Sequence, residues 1–243
     1  MDKFSDTAIL IDVSITMQST DFEPNRMTVV KNAVEKFIND KDEKQSFSII
    51  VFAGNSYLIC PLTKSKSELI KSLDNLDKLW KRIRFGTNYS EALLNGVYSL
   101  QNSKADFRNI MIFSDGTSNI KNSQLQFSKD AVKNFGIKVN SVIIKPKDFE
   151  IIPKGIDKNG LVFEKVPAKP LDSTLIKISH ETKGIFEVYH TKKDFKNFDA
   201  HKFISKSDSI NMTNINLKID KKIYENKFQK LQKTTDSIKT IIK

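Results

Sequence analysis

The feature that most constrains this chain is the alternation of short apolar runs with helix-patterned segments. TAILID (Thr7 to Asp12), FSIIVFA (Phe47 to Ala53) and IMIFSDG (Ile110 to Gly116) read as strands buried on both faces, and KVNSVII (Lys138 to Ile144) reads as a further strand. Between them lie helical spacings. Met27, Val30, Val34, Phe37 and Ile38 follow a Pro24-Asn25 start signal, Leu69, Ile70, Leu73 and Leu76 form a second set, and Ala92, Leu93, Gly96, Val97 and Leu100 a third. Ser123 to Phe135 is a helix stopped by Gly136, and Leu171 to Thr182 a helix stopped near Gly184, before a last strand IFEVYH (Ile185 to His190). Strands separated by helices pair in parallel, because a parallel return needs a crossover. The expected fold is therefore α/β, a doubly wound, mostly parallel, Rossmann-like sheet. SYLIC (Ser56 to Cys60) is the exception. Only Gly54-Asn55 separates it from the preceding strand, so it must be an antiparallel edge strand.

Beyond the core pattern, three prolines, Gly155 and Asn159-Gly160 punctuate residues 146–167, the signature of a surface hairpin. Residues 1–205 are expected to form one domain, 206–219 a polar linker and 220–243 a C-terminal helical extension. In that extension Tyr224, Phe228, Leu231, Thr235, Ile238 and Ile242 step by four and three alternately, an a/d seam under three heptads long. Such a stripe either packs back on its own domain or serves as a stalk or partner helix.

Composition removes several function classes. The chain has 243 residues and 39% hydrophobic residues, enough for a core. No apolar run is long enough to span a bilayer, and no N-terminal signal peptide is visible, which is the expectation for a soluble chain. The single cysteine, Cys60, excludes an internal disulfide and a thiolate zinc cluster, and reads as a packed thiol. His180, His190 and His201 form no ligand pair, and His180 and His190 read as surface or cap residues. The net charge is +11, and residues 201–243 hold ten lysines against four acidic residues. That tail could face nucleic acid, anionic lipid or an acidic partner, or simply be a solvated face. It lacks interleaved aromatics and any known nucleic-acid module, so no nucleic-acid partner is expected. Trp80, with Lys81, Arg82 and Arg84, reads as a helix-end anchor under a basic face.

In an open parallel sheet, ligands gather beyond the carboxyl ends of the strands. Asp12, Ser14 and Thr16 follow the first strand, Asp115 follows Ser114, and Thr87 sits between Gly86 and Asn88 where a helix opens. These loops offer two carboxylates and neutral hydroxyls, with no imidazole or thiolate. Such a set suits a hard cation, Mg²⁺ or Mn²⁺. The alternative is that Asp12 and Asp115 cap loops, and that Thr87 caps its helix.

This arrangement resembles a von Willebrand factor type A domain with a metal-ion-dependent adhesion site. DxSxS, a central-loop threonine and a later aspartate fall on Asp12, Ser14, Thr16, Thr87 and Asp115. DFEPNRMTVVKNAVEKFI, IIVFAGNSYLICPLT, GTNYSEAL and FSDGTSN are similar, in the same order, to segments of the bacterial Bat (aerotolerance-associated) branch. The resemblance covers roughly residues 5–200. Thr16 stands where the family usually has serine, Ile15 where it often has glycine, and Asn88 where the branch commonly has aspartate.

The resemblance implies direct metal coordination by Ser14 and Thr16, with Asp12, Asp115 and Thr87 acting directly or through water. An open coordination position would take an Asp or Glu of a protein partner. It further implies a non-enzymatic binding module, the soluble part of a membrane-anchored stress protein of the bacterial envelope, on the periplasmic side. MoxR-type ATPases or other Bat proteins would be its partners, with the C-terminal helix near the membrane surface. An exported adhesin that binds a host receptor or matrix fits the same motif. A Mg-dependent phosphoryl-transfer enzyme with Asp12 as nucleophile fits less well. The dehalogenase-type phosphatase needs a second aspartate where Ser14 stands, and the chain has no nucleotide-binding glycine loop.

Overall fold

The computed structural model describes residues 4–74, 76–118, 122–204 and 221–242. The strands are β1 (Ser5–Asp12), β2 (Phe47–Phe52), β3 (Ser56–Thr63), β4 (Phe107–Ser114), β5 (Lys138–Ile144), β6 (Phe149–Asp157), β7 (Gly160–Pro167) and β8 (Phe186–Tyr189). The helices are α1 (Arg26–Asp40), α2 (Lys66–Ser72), α3 (Tyr89–Leu100), α4 (Asn122–Asn134), α5 (Ser173–Glu181), α6 (Lys192–Phe195), α7 (Ala200–Phe203) and α8 (Lys221–Ile242). The main sheet has the order β3-β2-β1-β4-β5-β8, and β6 and β7 form a separate hairpin. Every pairing in the main sheet is parallel except β2 with β3, which turns back so tightly that Phe52 sits opposite Ser56. The expected doubly wound sheet with one antiparallel edge strand is what forms.

Strand periodicity divides the core in two. Ile9 and Ile11 of β1 and Ile49 and Val51 of β2 point to one face, where Val30, Val34 and Phe37 of α1 cover them. Ala8, Leu10, Ile50 and Phe52 point to the other face, against Leu93 and Val97 of α3. The helices begin where side chains satisfy their first N–H groups. Asn25 Oδ1 accepts from Thr28 N at 2.8 Å, and Asn88 Oδ1 accepts from Glu91 N at 3.2 Å. Gly184, after α5, is dictated by close approach, since a Cβ there would lie 1.8 Å from the carbonyl oxygen of Val139.

One detail differs from the periodicity. The helix expected through Leu76 ends at Ser72, and Leu76 opens a separate 3₁₀ segment, Leu76–Lys81. There Trp80 is buried, with the Lys81 ammonium 5.3 Å from its ring centroid, the anchor expected of it. Cys60 is buried, and burial, aided by the charge of Glu68, pushes its thiol up to about 11, as suits a packed thiol.

The C-terminal helix packs back on its own sheet. Tyr224, Phe228 and Leu231 are buried with Val97, Phe135 and Leu58 in the α3-side core. Tyr224 meets Phe135 edge-on at 5.7 Å, and the Lys227 ammonium lies 3.9 Å from the Phe127 ring centroid. Thr235 Oγ1 accepts a hydrogen bond from Leu58 N at 3.1 Å, so α8 also covers part of the open edge of β3. The stripe from Tyr224 to Thr235 is consumed by this packing, and Lys230 and Lys233 on the other face are exposed. The expected linker, 206–219, and the side chains of Ile238 and Ile242 lie outside the described residues. Phe228→Ala is expected to remove about 3 kcal/mol of stability, read as a lower urea midpoint. A free stalk would leave the midpoint unchanged.

Candidate metal centre

β1 and β4 are neighbours and run in parallel, with Ile11 opposite Phe113. The connections leave this pair in opposite directions, β1 toward β2 and β4 toward β5, so the crevice at their carboxyl ends lies at the switch point of the sheet. Asp12 ends β1 and Asp115 follows β4, which sets two carboxylates side by side below that crevice.

Asp12 is fully buried, and both its oxygens are used. Oδ1 accepts from Ser14 N at 2.9 Å, and Oδ2 accepts from Ser114 Oγ at 2.7 Å. Ser114 Oγ is in turn 2.9 Å from the hydroxyl of Tyr89, which is also fully buried. Burial, followed by the charge of Asp115, pushes the Asp12 carboxyl up to about 7, against the pull of its hydrogen bonds. Ser14 then leads into a 3₁₀ turn, Ile15–Gln18, and its Oγ lies 3.0 Å from Thr16 Oγ1. Lys183 is the one non-glycine residue with positive φ among the described residues, so Ile15 sits here without backbone strain.

Asp115 is 1% exposed. Its Oδ1 accepts from Thr117 N at 2.9 Å and from Thr117 Oγ1 at 2.7 Å. Its Oδ2 has no hydrogen bond and lies 3.7 Å from Arg26 Nη1. Burial would raise this carboxyl, but the Arg26 charge and the hydroxyls of Thr16 and Thr117 outweigh it and hold it below the usual carboxylate range. Thr87 follows Gly86, whose φ of 110° is left-handed, and it is buried at the mouth of the site. It does not cap α3, because Asn88 does.

Ser14, Thr16, Thr87 and Asp115 line one cleft of about 590 Å³. Glu150, Ile152 and Val166 of the hairpin form another part of its wall, with Lys169 and Asp172 beside them. The structure therefore gathers the residues expected from sequence, four in the wall and Asp12 beneath it.

Sequence reasoning passed over Arg26, although it is fully buried. Its Nε donates to Asp21 Oδ1 at 2.7 Å, and its Nη2 donates to Asp21 Oδ2 at 2.6 Å and to Glu150 Oε2 at 3.0 Å. Burial would lower its pKa, but Asp21, Asp115 and Glu150 raise it above the usual arginine value. The available signal was its place. A cation in the first turn of a helix opposes the helix dipole and needs specific acidic partners.

The donor set can be tested against a divalent cation. Apart from the Lys169 ammonium, the polar side chains of the cleft offer only oxygen, one buried carboxylate oxygen lacks a hydrogen bond, and two hydroxyls lie within 3.0 Å of each other. Asp21, Asp115 and Glu150 share the cations Arg26 and Lys145, so three carboxylates face two cations. No group of three or more His, Cys, Asp or Glu is placed to hold a metal among the described residues, so hydroxyls must supply part of any shell. The set fits a hard cation.

The raised Asp12 carboxyl has a consequence for stability. The unfolded chain releases this proton near 3.8 and the native state near 7, so Asp12 lowers stability progressively as pH rises between those values. Asp12→Asn removes that dependence. In chelator, the variant's stability relative to wild type should rise by about 1–3 kcal/mol between pH 4 and pH 8, measured by urea unfolding. A pH-independent difference would contradict the assignment.

Comparison with known proteins agrees with this fold. Residues 7–118 match the model of the von Willebrand factor type A domain. A UPF0353 protein of Mycolicibacterium paratuberculosis is 33% identical over 69 residues, 28% of this chain and 21% of that protein. Another, from Nocardia farcinica, is 26% identical over 93 residues, 38% of this chain and 26% of that protein. The matched segment thus spans only a fifth to a quarter of these relatives. The crystal structure of an aerotolerance-related membrane protein from Bacteroides fragilis superposes with a TM-score of 0.67 at 21% identity, over 83% of this chain and 98% of that one. BatB from Bacteroides thetaiotaomicron gives 0.64 at 20% identity, over 79% and 94%. The sheet order and these superpositions show a fold of the von Willebrand factor type A kind, and residues 7–118 are the part of the chain that matches that domain's model.

Proposed function

We propose that the chain is a non-enzymatic protein-binding module in which a divalent cation, Mg²⁺ or Mn²⁺, held in the cleft engages an Asp or Glu of a partner. Domains of this type commonly mediate protein interactions. The observation that carries the reading is the meeting of Ser14, Thr16, Thr87 and Asp115 in one cleft, where a buried carboxylate oxygen has no hydrogen bond. Ser14, Thr16 and Asp115 would hold the cation directly, with Asp12 and Thr87 supporting it. When bound, the cation would supply a charge that two carboxylates and neutral hydroxyls leave incompletely neutralised. The chain's own part is to pre-position the donors. Asp12 fixes the following loop by accepting from the Ser14 N–H, and Thr117 fixes the Asp115 carboxylate by donating its N–H and its hydroxyl to Oδ1.

The same geometry disfavours phosphoryl transfer. Asp12 is 0% exposed and both its oxygens accept hydrogen bonds, so it has no path to a substrate phosphorus. The likeness to an aerotolerance-related membrane protein and to BatB supports a Bat-like role at the bacterial envelope, with residues 1–205 as the binding domain. MoxR-type ATPases or other Bat proteins are the partners that reading implies. Among the described residues no helix is long and apolar enough to cross a membrane. If the chain meets a lipid surface, α8 would do so through its exposed lysines, because Tyr224, Phe228 and Leu231 are committed to the sheet.

Saturating Mg²⁺ or Mn²⁺ is expected to stabilise the domain by mass action, by about 2.7 kcal/mol at a hundredfold excess over Kd. The gain should vanish in Asp115→Ala, and capture of a partner from bacterial extract should be lost with chelator. A wild-type protein that shows no response to either metal, or an equal response in Asp115→Ala, would remove the reading.

A further inference from the structure

We propose that Arg26 is a positioning residue that competes with a cation for Asp115, and that Asp21 and Glu150 set the strength of the site by drawing its guanidinium away. The inference rests on the proposed metal site and adds its regulation.

The argument is geometric. A guanidinium offers its donors in a planar fork. The Nε and Nη2 edge is spent on Asp21, at 2.7 and 2.6 Å, and Nη2 is shared with Glu150 at 3.0 Å. Nη1 is left facing Asp115 Oδ2 at 3.7 Å, and neither atom has a hydrogen bond although both are buried. The positive charge is therefore close enough to stabilise Asp115, yet held short of a hydrogen-bonded pair. With a weaker hold on the Asp21 side, the fork would close on Asp115 and occupy the oxygen a cation needs.

The holders are themselves tied to the hairpin. Asp21 Oδ2 also accepts from Ile151 N at 3.0 Å, and Glu150 Oε1 accepts from Lys145 Nζ at 2.8 Å and from Lys169 N at 3.0 Å. Glu150 and Lys169 stand in the wall of the cleft. A partner that moves the hairpin would shift the guanidinium and so change cation affinity, and a bound cation would change hairpin docking by the same factor.

The test is Mn²⁺ affinity by calorimetry for wild type and Asp21→Asn. Asp21 is outside the cleft wall, so its substitution leaves the cation's own contacts in place. Affinity should fall about fivefold, because the guanidinium then leans on Asp115. Hydrogen exchange at Ile151 N and Lys169 N in the metal-free proteins supplies a second readout, with faster exchange expected in the variant. A lower melting temperature with unchanged affinity would show a merely structural Arg26 and overturn the inference. If Asp21→Asn fails to fold, Asp21→Ser carries the same expectation and the same contrary result. Wild type that fails to bind Mn²⁺ would instead remove the metal reading itself.

Discussion

Two carboxylates set side by side under the ends of adjacent parallel strands are the constraint on which this structure turns. Asp12 and Asp115 are both essentially excluded from solvent, where a bare charge is costly. The fold answers differently for each. Asp12 is satisfied locally by the Ser14 backbone and the Ser114–Tyr89 hydroxyl pair, and burial raises its carboxyl to about 7. Asp115 keeps its charge because Arg26 lies alongside. One carboxylate is thus tuned toward neutrality and the other toward ionisation, a division that local environment alone produces.

From that pair the surroundings follow. Arg26 can sit at the first turn of α1 only because Asp21 and Glu150 share its charge. Glu150 belongs to β6, so the hairpin is fastened to the base of the site and not merely appended to the sheet. Asp21 accepts from Ile151 N, and Thr20 N donates to Ile151 O at 3.3 Å, which closes the same fastening from the backbone side. The cleft is consequently bounded by two separately folded pieces, sheet-end loops and hairpin, joined by one buried ion network.

Much of the fold was legible in the sequence because it rests on local, periodic rules. Unbroken apolar runs gave buried strands, a two-residue connection gave the antiparallel β3, and Asn25 marked the start of α1. The site loops were legible for a related reason, since Asp12 ends β1, Ser14 and Thr16 follow within four residues, and Asp115 comes directly after β4. Arg26 was not, because its meaning lies in partners such as Glu150, 124 residues away. The direction taken by α8 was also open. An a/d stripe says that a face will be buried but not against what, and here it closes over β3 and α3. Nothing local signalled that Ile15 would be tolerated where glycine is common. The 3₁₀ turn that follows Ser14 keeps it in an ordinary right-handed conformation.

The central claim is that one cation site forms from the loops after β1 and β4 together with Thr87. Its most direct test is nuclear magnetic resonance with substoichiometric Mn²⁺, whose paramagnetism broadens signals within its neighbourhood. The account predicts that amides of residues 13–17, 86–88 and 115–117 broaden first, with those of Glu150 and Ile151 close behind, while β3 and α8 stay sharp. Broadening spread evenly over surface carboxylates, with these loops no more affected than the rest, would contradict it.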